Sequence, residues 1–121
     1  MRKILIVDDE PNIVMALDYA FRKNDFQVFI ARDGQEALDL LEKEIPNVII
    51  LDIMMPKVDG YETLRQLKQN KNLASTKVIM LSAKNKDTDI EKALNLGADA
   101  YITKPFSIKK IVEQIQELLN L

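Results

Sequence analysis

The stretch Val48-Ile49-Ile50-Leu51-Asp52, running on into Ile53-Met54-Met55-Pro56-Lys57-Val58-Asp59-Gly60, decides how this chain folds. An unbroken apolar run of this length, bounded by a turn, reads as a strand covered on both faces, the pattern of a parallel sheet flanked by helices. Its last residue is an aspartate, which puts a carboxylate where the buried strand ends. Three other apolar runs close on polar residues in the same way: Ile4-Leu5-Ile6-Val7 on Asp8-Asp9, Val78-Ile79-Met80-Leu81 on Ser82, and Tyr101-Ile102-Thr103 on Lys104. As neighbouring parallel strands they bring these polar tips to one edge of one sheet, where open α/β folds bind ligands. Carboxylates, a hydroxyl and an ammonium gathered there suit a hard divalent cation and phosphoryl transfer.

Outward from this stretch, short apolar runs alternate with helical patterns, giving five βα units in one domain over residues 1–121. That rhythm predicts an α/β fold with a mainly parallel sheet. Strands are predicted at 3–7, 27–31, 48–51, 77–81 and 100–103, and the partly alternating Phe26-Gln27-Val28-Phe29-Ile30 reads as an edge. Pro11 suits a first helical position, with Ile13, Leu17, Ala20 and Phe21 on one face after it. Asp33-Gly34 opens a second helix carrying Ala37, Leu38 and Leu41 and ended by Pro46, and Asp59-Gly60 precedes a third carrying Tyr61, Leu64 and Leu67. Asp87 or Thr88 is predicted to cap a fourth, with Ile90, Ala93 and Leu94 inside and Gly97 as its left-handed stop. Ser107 caps the fifth, where Ile108, Ile111, Val112, Ile115, Leu118 and Leu119 recur at helical spacing.

Composition removes several function classes. A net charge of −2 and a pI near 5.2 argue against nucleic acid as a direct partner, because phosphate-backbone binders gather Lys and Arg on one face. The chain has no histidine and no cysteine, so zinc chemistry, Ser-His-Asp hydrolysis and a disulfide framework are all without their residues. No apolar run approaches the ~20 residues needed to cross a bilayer, and Met1-Arg2-Lys3 leads straight into a strand. A cytoplasmic protein with no membrane association is expected, either stand-alone or excised from a longer regulator.

Each tip residue alone has a second reading. Asp8, Asp9 and Glu10 precede a helix, where acids cap amides and complement the dipole. Asp52, Ser82 and Lys104-Pro105 each suit an ordinary turn. Their coincidence at the same ends of different strands is what argues for one site. Two carboxylates ~4 Å apart repel by about 4 kcal/mol at an effective dielectric of ~20, so three together call for a cation. Mg²⁺ fits an oxygen-only ligand set. Asp52 is then the natural nucleophile, Lys104 neutralises phosphoryl oxygens and Ser82 hydrogen-bonds one of them.

These motifs resemble the response-regulator receiver domain of two-component signalling over essentially the whole chain. The matching stretches are Lys3 to Glu10, Leu51-Asp52-Ile53-Met54-Met55-Pro56 with Asp59-Gly60, Leu81-Ser82-Ala83, and Gly97 to Phe106. The resemblance implies a flavodoxin-like, doubly wound, five-stranded parallel sheet in order 2-1-3-4-5 with five helices. It implies that Asp52 accepts a phosphoryl group from the phosphohistidine of a histidine kinase or phosphotransfer protein. Mg²⁺ would be held directly by Asp9 and Asp52, by the Met54 main-chain carbonyl, and by Asp8 largely through water. Lys104 and Ser82 would contact the phosphoryl group, Ser82 and Tyr101 would form the switch pair, and Lys104-Pro105 would be a cis peptide. The resemblance further implies a phosphoprotein whose only catalysis is its own phosphoryl transfer and autodephosphorylation. The face of the fourth helix, fifth strand and fifth helix would address a downstream effector protein or output domain.

Two departures stand out. Lys57-Val58 occupies turn positions where the family often has glycine and methionine. Ala100, Lys110 and Gln114 replace the acid, glutamate and arginine with which receivers of winged-helix transcription factors pair, so a monomer is expected even when phosphorylated. Rival readings fit less well. A haloacid-dehalogenase phosphatase needs a second acid where Met54 stands, a flavodoxin would be repelled by Asp8-Asp9-Glu10, and no glycine-rich lysine loop for a nucleotide is present. The remaining alternative is a phosphorylation-independent pseudo-receiver, an interaction module that typically loses an acid this chain keeps.

Overall fold

The computed structural model describes residues 1–55 and 58–120. Pro56 and Lys57, within the turn predicted after Asp52, lie outside the described residues. Strands β1 (Arg2–Val7), β2 (Phe26–Ala31), β3 (Val48–Asp52), β4 (Lys77–Ser82) and β5 (Ala100–Thr103) alternate with helices α1 (Pro11–Lys23), α2 (Gly34–Leu40), α3 (Gly60–Lys68), α4 (Asp87–Asn95) and α5 (Ile108–Leu118). The strands form one parallel sheet in the order β2-β1-β3-β4-β5, as the resemblance implies. Among the described residues no helix is long and apolar enough to cross a membrane.

Alternate side chains of the central strands feed two separate cores. Leu5, Val7, Ile49, Leu51, Val78 and Met80 pack with Ala37 of α2, Leu64 and Leu67 of α3 and Ala93 of α4. Ile4, Ile6, Val48, Ile50, Ile79 and Leu81 pack instead with Leu17 and Phe21 of α1 and Ile111 and Ile115 of α5. This two-sided burial is why β1, β3 and β4 read as unbroken apolar runs. Since burial contributes on the order of 25 cal/mol per Å² of apolar surface, either core lost would unfold the domain.

Register positions the site. Val7 pairs with Leu51, Asp52 with Leu81 and Ser82 with Thr103. Each polar tip therefore lies at, or one residue beyond, the end of adjoining ladders, and the Lys104 amide prolongs the last one by donating to the Ser82 carbonyl at 2.8 Å.

Local signals were borne out at Pro11, which opens α1, at Asp33 and Asp59, which accept from the Glu36 and Glu62 amides, and at Ser107, which accepts from the Lys110 amide. Gly97 has φ of 109° and ends α4. Two expectations need correction. The second helix stops at Leu40, well before Pro46, because the chain tightens into turns, with the Glu42 amide on the Asp39 carbonyl and the Lys43 amide on the Leu40 carbonyl. Glu44 then reaches Lys3 at 2.9 Å, and the proline biases Ile45 away from helix. The fourth helix is capped by neither Asp87 nor Thr88: Lys86 holds the cap position with no side-chain bond, and Asp87 sits in the first turn, where its charge complements the dipole. The Phe26–Ile30 run is an edge strand as expected, β5 forms the other edge, and a short 3₁₀ turn at Lys71–Leu73 precedes β4.

Candidate functional site

The carboxyl-terminal ends of β1, β3, β4 and β5 bring Asp8, Asp52, Ser82 and Lys104 together. Asp8 is 1% exposed, Asp52 3% and Ser82 0%, so three polar side chains sit in a nearly dry place. Lys104 reaches over them. Its Nζ lies 2.9 Å from Glu10 Oε1, 3.3 Å from Asp8 Oδ2 and 3.7 Å from Asp52 Oδ2. The Lys104–Pro105 peptide is cis.

Asp8 and Asp52 are shaped by the backbone around them. Asp8 Oδ1 accepts from the Glu10 amide at 2.9 Å, and Asp52 Oδ1 accepts a long bond from the Met54 amide at 3.4 Å. Gly60 lets the backbone opening α3 lie close against β3: a Cβ there would overlap the Asp52 carbonyl oxygen and the Ile53 Cα. The Gly60 amide donates to the Ile53 carbonyl at 2.9 Å and locks that approach.

Burial dominates the electrostatics. It pushes the Asp52 carboxyl up to about 6, with the Asp8 charge adding to it and Lys104 only partly offsetting it. Burial likewise raises Asp8, against the Glu10 amide bond and the Lys104 charge. For Lys104, burial favours the neutral form, but Glu10, Asp52 and Asp8 outweigh it and leave the ammonium more basic than usual. One ammonium thus fails to neutralise the anions around it. At neutral pH the Asp52 carboxylate is still mainly ionised, as a nucleophile must be.

One carboxylate oxygen from each of Asp8, Glu10 and Asp52 lies within 4.8 Å of the other two. Asp8 Oδ2 is buried and makes no well-aligned hydrogen bond among the described residues, so Lys104, at 3.3 Å, offsets only part of the cost of burying an anionic oxygen. An all-oxygen donor set with an only partly satisfied buried carboxylate fits a hard divalent cation. Asp9 is exposed and its carboxylate is outside that close set; it borders the open cleft beside Asp52 together with Met54, Asp59 and Lys84. Glu10, read in the sequence only as an acid ahead of a helix, proves to be the nearest carboxylate to Lys104. It occupies the cap position of α1 but makes no side-chain cap bond there. The only sequence signal was its place as third acid in a run, and the turn decides which of three adjacent carboxylates faces the lysine.

Ser82 and Tyr101 also meet. Ser82 Oγ accepts from the Lys84 amide at 3.2 Å, while the Tyr101 hydroxyl donates to the Lys84 carbonyl at 2.7 Å. Partial burial raises the Tyr101 phenol pKa, and the nearby Ser82 hydroxyl partly offsets this. Both hydroxyls therefore grip the same turn after β4.

Residues 4–116 match the family model of the response regulator receiver domain. The chain is 43% identical over 119 residues to the alkaline phosphatase synthesis transcriptional regulatory protein PhoP of Bacillus subtilis, covering 98% of this chain and 49% of that protein. It thus spans about half the length of that relative. Among solved structures, the Francisella response regulator 1452 receiver domain superposes with a TM-score of 0.91 at 34% identity, covering 99% of this chain and 98% of that one. A CheY-like response regulator receiver domain protein from Methanospirillum hungatei superposes with a TM-score of 0.93 at 32% identity, covering 99% and 94%.

Proposed function

The chain belongs to the response-regulator receiver family, whose members are phosphoacceptor domains of phosphorylation-based signalling, and from that premise we propose that Asp52 is the phosphoacceptor of a receiver domain spanning residues 1–121. The observation that carries this reading is the buried Asp52 carboxylate, with Lys104 Nζ 3.7 Å away and the carboxylates of Asp8 and Glu10 in the same close set. Asp52 Oδ attacks the phosphorus of a phosphohistidine on a histidine kinase or phosphotransfer protein. The P–O bond forms as the P–N bond breaks, the nitrogen keeping the electron pair and taking up a proton. The product is an acyl phosphate on Asp52.

Lys104 neutralises charge on the transferred group, and the Ser82 hydroxyl donates to one of its oxygens. Mg²⁺, when bound, supplies charge neutralisation between carboxylates and phosphoryl oxygens. Asp8, Asp9, Asp52 and the Met54 main-chain carbonyl are its proposed ligands. A phosphoryl oxygen that draws Ser82 inward loosens its hold on the Lys84 turn, and Tyr101 follows. The equilibrium of the face made by α4, β5 and α5 shifts by the difference in contacts between the two states. That face addresses a downstream effector protein or output domain in the cytoplasm. Neither nucleic acid nor membrane is a direct partner. With Ala100, Lys110 and Gln114 on it, the phosphorylated protein remains a monomer, which sedimentation with and without a phosphate mimic tests.

Incubation with a small acyl-phosphate donor, followed by intact mass measurement, tests the acceptor. One phosphate per chain with Mg²⁺, and little without, is expected. Equal yield without any divalent ion overturns the metal dependence, and unchanged uptake in Asp52→Ala overturns the acceptor.

A further inference from the structure

Helix α4 is fastened unevenly. Ala93 is its one buried residue, Lys86 gives its start no side-chain cap, and Leu94 is left 45% exposed. Its far end is tied to β4: the Ala98 amide donates to the Ala93 carbonyl at 3.1 Å, the Asp99 amide to the Val78 carbonyl at 2.8 Å, and the Val78 amide back to Asp99 Oδ2 at 2.8 Å. The near end, facing the proposed phosphorylation site, has no such ladder among the described residues. Two tyrosines hold it instead. Tyr101 grips the Lys84 carbonyl ahead of the helix. Tyr61 grips the helix itself, its hydroxyl donating to the Asp89 carbonyl at 3.3 Å and its ring carrying the Lys92 ammonium 4.1 Å from the centroid. Lys84 Nζ lies 5.7 Å from the same centroid, so the ring faces two cations from the β4–α4 segment.

Tyr61 cannot drift independently of the acceptor strand. It directly follows Gly60, whose backbone lies against Asp52 and Ile53 too closely to admit a side chain. The Gly60 amide bond to Ile53 ties the two segments, and Tyr61 itself is only 8% exposed. An aromatic face attracts a cation electrostatically, most strongly where water is thinned out. The chain from Asp52 through Gly60 and Tyr61 to Asp89 and Lys92 is therefore short and contiguous.

We propose that Tyr61 is a positioning residue that couples the acceptor strand to α4, a second link parallel to the Ser82–Tyr101 pair. This rests on the receiver reading for what α4 signals, though not for whether the strut holds the helix. When the backbone after Asp52 adjusts to a phosphoryl group, Tyr61 carries that adjustment to the first turns of α4.

Amide hydrogen exchange over residues 87–95, read in the full chain before and after acyl-phosphate treatment, tests the link. Tyr61→Phe removes the bond to Asp89 and keeps the ring; Lys92→Gln removes the nearer cation from a surface position where folding is not at risk. Each variant should exchange about three- to tenfold faster in α4, the loss expected for one net hydrogen bond or cation–π contact. Each should take up phosphate as wild type does and show a smaller phosphate-dependent change in α4. Wild-type exchange in both variants overturns the proposal. Faster exchange with an undiminished phosphate response overturns it as well, since Tyr61 would then only stabilise the helix. A wild-type chain that takes up no phosphate defeats the acceptor reading separately, and exchange in the untreated variants still decides whether the strut exists.

Discussion

At the amino-terminal ends of β3 and β4, Thr76 is buried with its hydroxyl donating to the Pro46 carbonyl at 2.8 Å, and Asn47 Oδ1 accepts from the Lys3 amide at 2.8 Å. At the carboxyl-terminal ends of the same sheet, Asp8 Oδ2 is buried with no well-aligned hydrogen bond among the described residues, and burial pushes the Asp52 carboxyl up to about 6. Polar groups at the first end are satisfied, so burial there closes the structure. At the second end burial leaves anions short of partners, which destabilises the fold locally and leaves capacity for a cation and a phosphoryl group. One sheet therefore has a structural end and a chemical end, and partner satisfaction distinguishes them better than polarity does.

The largest effect that sharpens this contrast is loss of chemistry. Asp52→Ala should abolish phosphate uptake measured by intact mass, whereas Thr76→Val at the other end should leave uptake unchanged. Uptake in Asp52→Ala would erase the distinction.

Stability against pH probes the same point. The Asp52 carboxyl has an ordinary value of 3.8 and a folded value of about 6, so between these the folded state binds more protons than the unfolded. Its contribution to stability is full below about 3.8 and is lost as pH rises through about 6. Asp52→Asn should therefore stabilise the metal-free protein at neutral pH by about 2 to 3 kcal/mol, with the gain fading toward pH ~4. Chemical denaturation at several pH values checks this; a gain independent of pH would mean that ionic burial is not its source. Mg²⁺ should supply comparable stabilisation to wild type, about 2.7 kcal/mol at a hundredfold excess over its dissociation constant, and much less to Asp8→Asn. Thermal shift with and without chelator reads that difference.

Next in size is the lifetime of the phosphoryl group. Met54 is 60% exposed and Lys84 borders the same cleft, so neither of these positions offers a carboxylate or amide to orient an attacking water. Met54→Asn should speed loss of phosphate by about tenfold, the low end of what a positioned polar group contributes. An unchanged half-life would place the control elsewhere. Similar in size is the effect at the structural end, where Thr76→Val should cost about 1 to 2 kcal/mol by leaving the Pro46 carbonyl unpaired. A cost near zero would show that this end tolerates unsatisfied groups too.

Much of the fold was legible because its signals are local. Apolar runs at Ile4–Val7, Val48–Leu51 and Val78–Leu81 are strands because both faces are covered, and a cap such as Asp33, Asp59 or Ser107 acts within three residues of its own position. The premature end of α2 and the uncapped start of α4 were not legible. The first includes an ion pair from Glu44 to Lys3, 41 residues away in sequence, and the second turns on where the chain leaves β4.

The candidate site divides along the same line. Sequence alone determined that acids, a hydroxyl and a lysine terminate the runs, because residue type and spacing at a strand end are properties of the chain. Tertiary structure alone decided that Glu10 sits closer to Lys104 than Asp52 does, that Asp8 Oδ2 is buried with Lys104 beside it, and that Tyr61 bridges to Asp89 and Lys92. Those facts depend on the direction of a side chain after a turn and on the meeting of segments 28 to 94 residues apart. Their energies are a few kcal/mol or less, too small to leave a pattern in composition or periodicity, and they exist only once the sheet has brought its strand ends together.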